Sequence, residues 1–467
     1  MDNTIKIFKE ISKLPRPSGK EEKVKNYLVN FAKKNNLEYY TDKTHNVIIK
    51  KPSNRQDCTS TLILQGHTDM VCEKFSKVEF DFDKRGIDIR ENDGFLYANG
   101  TTLGADNGIG ISMILSILQD ESLSIPNLEC VFTAQEETTM QGAIDLDFNK
   151  LKGQALLSID GTDEGKIEVS SAGMAVAKIE KQFEEIDNPT KITYNLYLSG
   201  LQGGHSGTEI NRNRLNANKL MFEFLNKYKT DINIISVSGG GKSNAIAREC
   251  NVLLSLNKLN SDAFESDFKN FCKGYAHLEG EISAKIVPNT KFNYKSLCSE
   301  DTINLIDFVN DHKDGVLVFA EYDKNFPIVS NNFANIQLEN GKLEIIISLR
   351  SSVKKLEEEY LSKLEELTKQ HLFSFKVIST APFFERKQNS YLQKLCCKCY
   401  KNLFDEDAIL SDVHAGLEGG VFAGKNPNLD ICVIAPNIYD AHSPKERVSK
   451  KSIEKTYKWL EEIIKNF

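Results

Sequence analysis

Short apolar runs recur through the first 160 residues and return near the end of the chain. Residues 61–64, 128–132, 155–159 and 431–435 are four or five residues long and mostly apolar. Such runs do not alternate, which predicts strands buried on both faces of a sheet. Between the first two lies a small-residue-rich stretch, 108–118, with helical character. The turn cluster Pro15-Arg16-Pro17-Ser18-Gly19 leads into 20–33, where Val24, Leu28 and Phe31 form a helical stripe. Strands alternating with helices predict a sheet covered by helices. After about Met174 the pattern changes. Segments 192–198 and 343–349 alternate, and helical patterns return at 216–228 and 354–370. That middle region reads as a second α/β domain inserted into the first, because 431–442 repeats the strand-then-polar-cluster pattern of the N-terminal part.

Composition narrows the setting. A chain of 467 residues suits two or three domains of about 100–200 residues each. Lys and Arg number 59 against 66 Asp and Glu, which argues against nucleic acid or an anionic membrane as partner. No apolar run approaches the roughly 20 residues of a membrane helix. The start of the chain lacks a signal-peptide core and reads as an amphipathic helix, so the expected location is the cytoplasm. Of ten Cys, Cys396, Cys397 and Cys399 crowd one helical stretch. No second pair accompanies them, so they read as reduced core thiols and not as a zinc site.

The ends of the apolar runs carry the chemistry. The first ends in His67-Thr68-Asp69, the second runs into Glu136-Glu137, the third ends in Asp160-Gly161, and the fourth precedes Asp440-Ala441-His442. Asp106-Asn107-Gly108 opens the helical stretch. In open α/β sheets ligands bind beyond the carboxyl ends of strands, so these clusters are expected to converge. Two His with several carboxylates suit zinc, manganese or cobalt. In an extended His67-Thr68-Asp69, residues i and i+2 share a side, which lets Asp69 orient the imidazole. Glu136 and Glu137 are adjacent, so the chain must leave strand geometry there for both to reach one site. Alone, each cluster reads as an ordinary loop, turn or solvated pair. Five in this order favour function.

The sequence resembles the dinuclear-zinc peptidase and aminoacylase superfamily, and within it the aminoacyl-histidine dipeptidases (peptidase D, Xaa-His dipeptidase). The likeness runs almost end to end. It is carried by residues 11–22, Gln65-Gly66-His67-Thr68-Asp69-Met70-Val71, Gly100-Thr101-Thr102-Leu103-Gly104-Ala105-Asp106-Asn107-Gly108, Glu136-Glu137, Gly203-Gly204-His205-Ser206-Gly207, Ser243-Asn244-Ala245-Ile246 and His414-Ala415-Gly416-Leu417-Glu418. The resemblance implies two divalent metal ions, zinc first and cobalt or manganese as substitutes. His67 and Asp160 would bind one, Glu137 and His442 the other, and Asp106 both. Asp69 would orient His67, and Glu136 would be the general base. The Asp106-Asn107 peptide is expected to be cis. The implied fold is an α/β zinc-peptidase domain, 1–183 and 388–467, with an inserted α+β lid, 184–387.

His205 is the candidate donor to a developing oxyanion, with Gly203, Gly204 and Gly207 allowing close approach. Arg350, after the apolar run 345–349, is the candidate for a substrate carboxylate, with Asn244 adding a hydrogen bond. His414, Gly416 and Glu418 are candidate pocket residues, Glu418 for a substrate amine. The implied partner is a small peptide, Xaa-His dipeptides above all, and a homodimer is compatible with the resemblance. Alternatives are a tripeptide aminopeptidase, an aminoacylase, a carboxypeptidase or a catalytically silent metal-binding scaffold. Relatives often have Trp and a second Pro around Phe384 and Glu385, and Cys in place of Gly419. Both departures are expected to bear on substrate preference.

Overall fold

The computed structural model describes residues 2–190, 192–257, 261–289 and 294–467. The chain forms two compact units. The first comprises Met1–Ser171, Phe383–Val413 and Leu417–Phe467, and the second Ala172–Pro382 with His414–Gly416.

The first unit is built on an eight-stranded sheet in the order Glu38–Thr41, Val47–Lys51, Asn127–Thr133, Thr61–His67, Ala155–Ser158, Asp430–Val433, Lys166–Ser171, Ile409–Val413. The four strands from Asn127–Thr133 to Asp430–Val433 run parallel to their neighbours within that group. Both faces are covered, which is why these runs show no polar alternation. Leu62, Leu64, Leu157 and Cys432 enter one core with Ile11, Leu28, Ile114 and Trp459 from four helices. Ile63, Leu156, Ile431 and Val433 enter another with Phe384 and Phe422. The Trp459 indole N–H donates to the Cys396 carbonyl at 2.9 Å, joining the helices Lys450–Asn466 and Tyr391–Phe404. All ten Cys are free thiols. A smaller sheet pairs Ile438–Tyr439 with Arg447–Ser449, and the segment between these strands carries His442.

The second unit is a nine-stranded sheet whose strand pairs are all antiparallel. Its core joins sheet residues such as Ile179, Leu254 and Ile345 to helix residues such as Leu220, Phe268, Leu305 and Leu364. The strand Gly173–Gln182 pairs with Lys342–Ser351 and Ser374–Ala381. It therefore belongs to this unit, and the first segment of the other unit ends at Ser171, not 183. The return falls at Phe383, not 388, since Phe384 packs in the core of the first unit.

Of the positions that depart from relatives, Phe384 and Gly419 pack against each other. A Cβ at Gly419 would fall 2.8 Å from the Phe384 ring, and Phe384 is itself buried. The ring occupies the space a side chain at 419 would need. Among the described residues no helix is long and apolar enough to cross a membrane.

Candidate active site

The parallel strands bring their carboxyl ends together, and with them the polar clusters. His67 ends Thr61–His67. Glu136 and Glu137 follow Asn127–Thr133, where Gln135 takes a left-handed φ of 58° and a short helix, Glu136–Thr139, begins. That turn is the departure from strand geometry that two adjacent Glu require. Asp160 follows Ala155–Ser158. His442, with φ 61°, stands on the segment after Ile438–Tyr439. Asp106 opens the helix Ala105–Gln119, and its peptide bond to Asn107 is cis.

These side chains meet in two sets that share one member. Asp106 Oδ1 lies 3.0 Å from His67 Nε2, and Asp106 Oδ2 lies 3.2 Å from His442 Nε2. His67 Nε2 also faces Asp160 Oδ1 at 3.3 Å, and His442 Nε2 faces Glu137 Oε2 at 3.0 Å. Ligand atoms 2.0–2.2 Å from one tetrahedral ion stand about 3.3 Å apart, so both sets have the spacing that a metal ion asks of its donors. Glu137 Oε1 is buried without a hydrogen-bond partner. One atom each from His67, Asp106 and Glu137 lies within 4.8 Å of the others.

The electrostatics point the same way. Hydrogen bonds to the Asp106 and Glu137 carboxylates hold the His442 imidazole up at about 11, against the opposing effect of burial. Burial, with Asp106 and Glu137 nearby, pushes the Asp160 carboxyl up to about 6 despite His67. Burial and the charges of Asp160, Glu418 and Glu137 raise Glu136 well above the usual carboxylate range. Carboxylates this crowded favour cations beside them. The donor set and its spacing fit two divalent ions.

Three residues that sequence reasoning did not single out hold the cluster in place. Glu446 is a buried carboxylate whose Oε2 accepts the Leu103 and Gly104 N–H groups at 2.7 and 2.9 Å, and whose Oε1 accepts those of Ala105 and Asp106 at 2.8 and 3.2 Å. It satisfies the amides that a helix start leaves free. Arg16, from the Pro-rich turn, donates to the carbonyls of Thr68, Asp69 and Gly104. Gly104 needs to be glycine, because its φ is 70° and a Cβ would fall 2.4 Å from the Arg16 guanidinium. Asn107 donates to the Ile159 carbonyl, tying the Asp106 segment to the Asp160 strand. None of these has a local signature.

Asp69 does more than was expected of it. Its Oδ1 stands 3.5 Å from His67 Nδ1, which is long for a hydrogen bond. The same carboxylate accepts the amides of Glu136 and Glu137 at 3.0 and 3.2 Å and the Ser18 hydroxyl at 2.6 Å. It fixes the turn that presents both glutamates.

Glu418 does not line a pocket. It is 1% exposed, and its Oε2 accepts the Thr133 hydroxyl and the Gln65 amide, each at 2.6 Å. It opens the helix Glu418–Lys425 and points inward to brace two of the ligand-bearing strands. Burial pushes its carboxyl up to about 8. Glu418, expected at a substrate amine, is instead buried against Thr133 and Gln65.

The second unit gathers its own set. His205 lies in the two-residue strand Gly204–His205, paired with Ala245–Ile246, which places exposed Asn244 on the adjoining loop. His205 Nδ1 accepts the Gly207 and Thr208 amides at 3.2 and 3.1 Å, so the ring proton resides on Nε2. A Cβ at Gly207 would fall 3.0 Å from His205 Cε1, 3.2 Å from Arg350 Nε and 2.5 Å from the His414 carbonyl. His205, Arg350 and His414 thus converge on one glycine. Arg350 is 5% exposed, and burial lowers its guanidinium to about 10. His414 Nε2 lies 2.7 Å from the Ser330 hydroxyl. Burial, then Arg350 and His205, depress the His414 imidazole to about 3, so it stays neutral. Gly416 is half-buried two residues further on.

Comparison with known proteins agrees with this chemistry. Residues 63–466 match the model of Peptidase family M20/M25/M40. The chain is 30% identical to the cytosol non-specific dipeptidase of Escherichia coli strain K12 over 466 residues, 98% of this chain and 96% of that one. It is similar in structure to the aminoacylhistidine dipeptidase of Vibrio alginolyticus, with a TM-score of 0.89 and 27% identity over 100% of this chain and 96% of the other. It shares its fold with the Bacillus subtilis YXEP protein, described as a dinuclear metal binding peptidase of the M20 family. That likeness has a TM-score of 0.50 and 10% identity over 100% and 97% of the two chains. The protein is a hydrolase that acts on peptide bonds. It belongs to peptidase family M20/M25/M40.

Proposed function

We propose that this chain is a metal-dependent dipeptidase acting on Xaa-His dipeptides, β-Ala-His included, in the cytoplasm. The observation that carries the reading is Asp106, whose two carboxylate oxygens each face a different imidazole that is flanked by a second carboxylate. In this assignment His67 and Asp160 hold one divalent ion, Glu137 and His442 the other, and Asp106 both. Zinc is the first candidate, with cobalt or manganese as substitutes. When bound, the ions supply positive charge that polarises the scissile carbonyl and acidifies water.

The chain's own groups do the rest. Glu136 takes the proton from the attacking water and returns it to the leaving amine. Asp69 holds the Glu136 amide and so the position of the base. His205 offers an Nε2–H to the oxyanion, in the tautomer its own loop enforces. Arg350 receives the free carboxylate that a dipeptide carries close to the cut bond. A buried guanidinium that forms no ion pair with a carboxylate among the described residues suits that task. Replacing His205 with Ala is expected to lower kcat about 10²–10³-fold, with metal content unchanged by elemental analysis.

The fold is shared by peptidases of other specificity, so substrate choice needs its own test. Purified protein, stripped of metal and reloaded with zinc, cobalt or manganese, is offered Xaa-His dipeptides, other dipeptides, tripeptides and N-acyl amino acids. The reading expects the dipeptides to be cleaved fastest, with Xaa-His among the best. Faster cleavage of tripeptides or N-acyl amino acids would replace it with an aminopeptidase or aminoacylase reading.

A further inference from the structure

Glu168 is a carboxylate without a use in the chemistry described so far. It lies in the strand Lys166–Ser171 and pairs with Val433, the last residue of Asp430–Val433. It therefore stands at the carboxyl edge of the parallel strands, where Asp160 also lies. Its neighbours Ile167 and Val169 point into the helix-covered core, so Glu168 faces the other side of the sheet. Its Oε1 lies against Gly161, where a Cβ would fall 3.3 Å from it. Its Oε2 is buried with no hydrogen-bond partner among the described residues. The cation nearest in sequence, Lys166, is engaged by Asp163 at 3.1 Å.

Among the described residues no cation forms an ion pair with this carboxylate, and Lys166 opposes the neighbouring negative charges only in part. Burial, then Asp160 and Asp163, push the Glu168 pKa up to about 8. In the proposed centre, two divalent ions bring four positive charges, matched by the four carboxylates Asp106, Glu136, Glu137 and Asp160. Glu418 has its Oε2 engaged by Thr133 and Gln65, although its Oε1 is buried without a partner among the described residues, and at 1% exposure it is closed off from solvent. Glu168 is left over. An unblocked dipeptide brings the missing charge as its N-terminal ammonium, one Cα away from the scissile carbonyl. An N-acylated substrate brings none.

We propose that Glu168 receives the substrate's free α-amino group and thereby sets a preference for unblocked N-termini. The assignment rests on the dipeptidase reading above, and it gives the amine a partner that inward-pointing Glu418 does not provide.

The test compares Ala-His with its des-amino analogue, propionyl-His, on metal-loaded full-length protein. In Glu168→Gln, KM for Ala-His is expected to rise about 10–100-fold, the factor for losing a hydrogen bond to a charged group. kcat for Ala-His and kcat/KM for propionyl-His are expected to hold, with unchanged metal content. Glu168→Asp should restore part of the discrimination. Calorimetric binding of Ala-His in a Glu136→Gln background should weaken by a similar factor when Glu168→Gln is added. Equal losses on both substrates, or loss of metal, would overturn the assignment while leaving the dipeptidase reading intact. If the unmodified protein cleaves neither compound, the dipeptidase reading fails and this assignment fails with it.

Discussion

Glu136→Gln is expected to keep its metal and lose about 10²–10⁴ in kcat, the usual contribution of a positioned general base. The reasoning is geometric. Glu136 makes none of the close contacts to imidazole nitrogen that define the two ligand sets; those involve Asp106, Asp160 and Glu137. Its backbone amide is held by Asp69, and an amide side chain of the same shape leaves that hold untouched. What Gln cannot do is take a proton from water at neutral pH. Metal stoichiometry by elemental analysis, a melting curve and steady-state kinetics on an Xaa-His dipeptide separate the outcomes. Full activity would remove Glu136 from the role of base. Lost activity together with lost metal would make it a ligand. Chelated unmodified protein, inactive until reloaded, serves as the reference.

Glu446→Ala is expected to be the most damaging substitution away from the proposed ligands. Its carboxylate accepts four consecutive amides, and each buried donor left without a partner costs about 1–3 kcal/mol. Water entering the vacated space restores some of these bonds, so a loss of at least about 3 kcal/mol is expected in denaturant unfolding. The same amides position Asp106, which both ligand sets share. Metal affinity is therefore expected to fall about 10–100-fold, as for other outer partners of metal ligands. Competition against a chelator of known affinity measures that factor. A protein that is destabilised yet binds metal as before would confine Glu446 to a structural role. Glu446→Gln, which keeps one carbonyl oxygen, is expected to lie between the two.

The amino-acid sequence by itself determined the elements and the ligand chemistry. Runs such as 61–64 and 155–159 are legible as strands because burial on both faces removes most polar positions, and the helical stripe through Val24, Leu28 and Phe31 is legible because one face is buried. His67, Asp106, Glu137, Asp160 and His442 stand out as candidate ligands because carboxylates and imidazoles lie just past such runs, in an order that also resembles a known family. Tertiary structure alone decided what depends on distant partners. Glu446 lies 340 residues from Asp106 along the chain, and Arg16 lies 88 from Gly104. No local periodicity records either pairing. An acidic residue in a loop or at a helix start reads as solvated until the fold shows what lies above it. For that reason the sequence hides the role of Glu446 and makes Glu418 read as a substrate contact, while Glu168, within the strand Lys166–Ser171, reads as an ordinary outward-facing strand position. The strand Gly173–Gln182 was likewise given to the wrong unit, because a strand's own residues do not say which sheet will supply its hydrogen bonds.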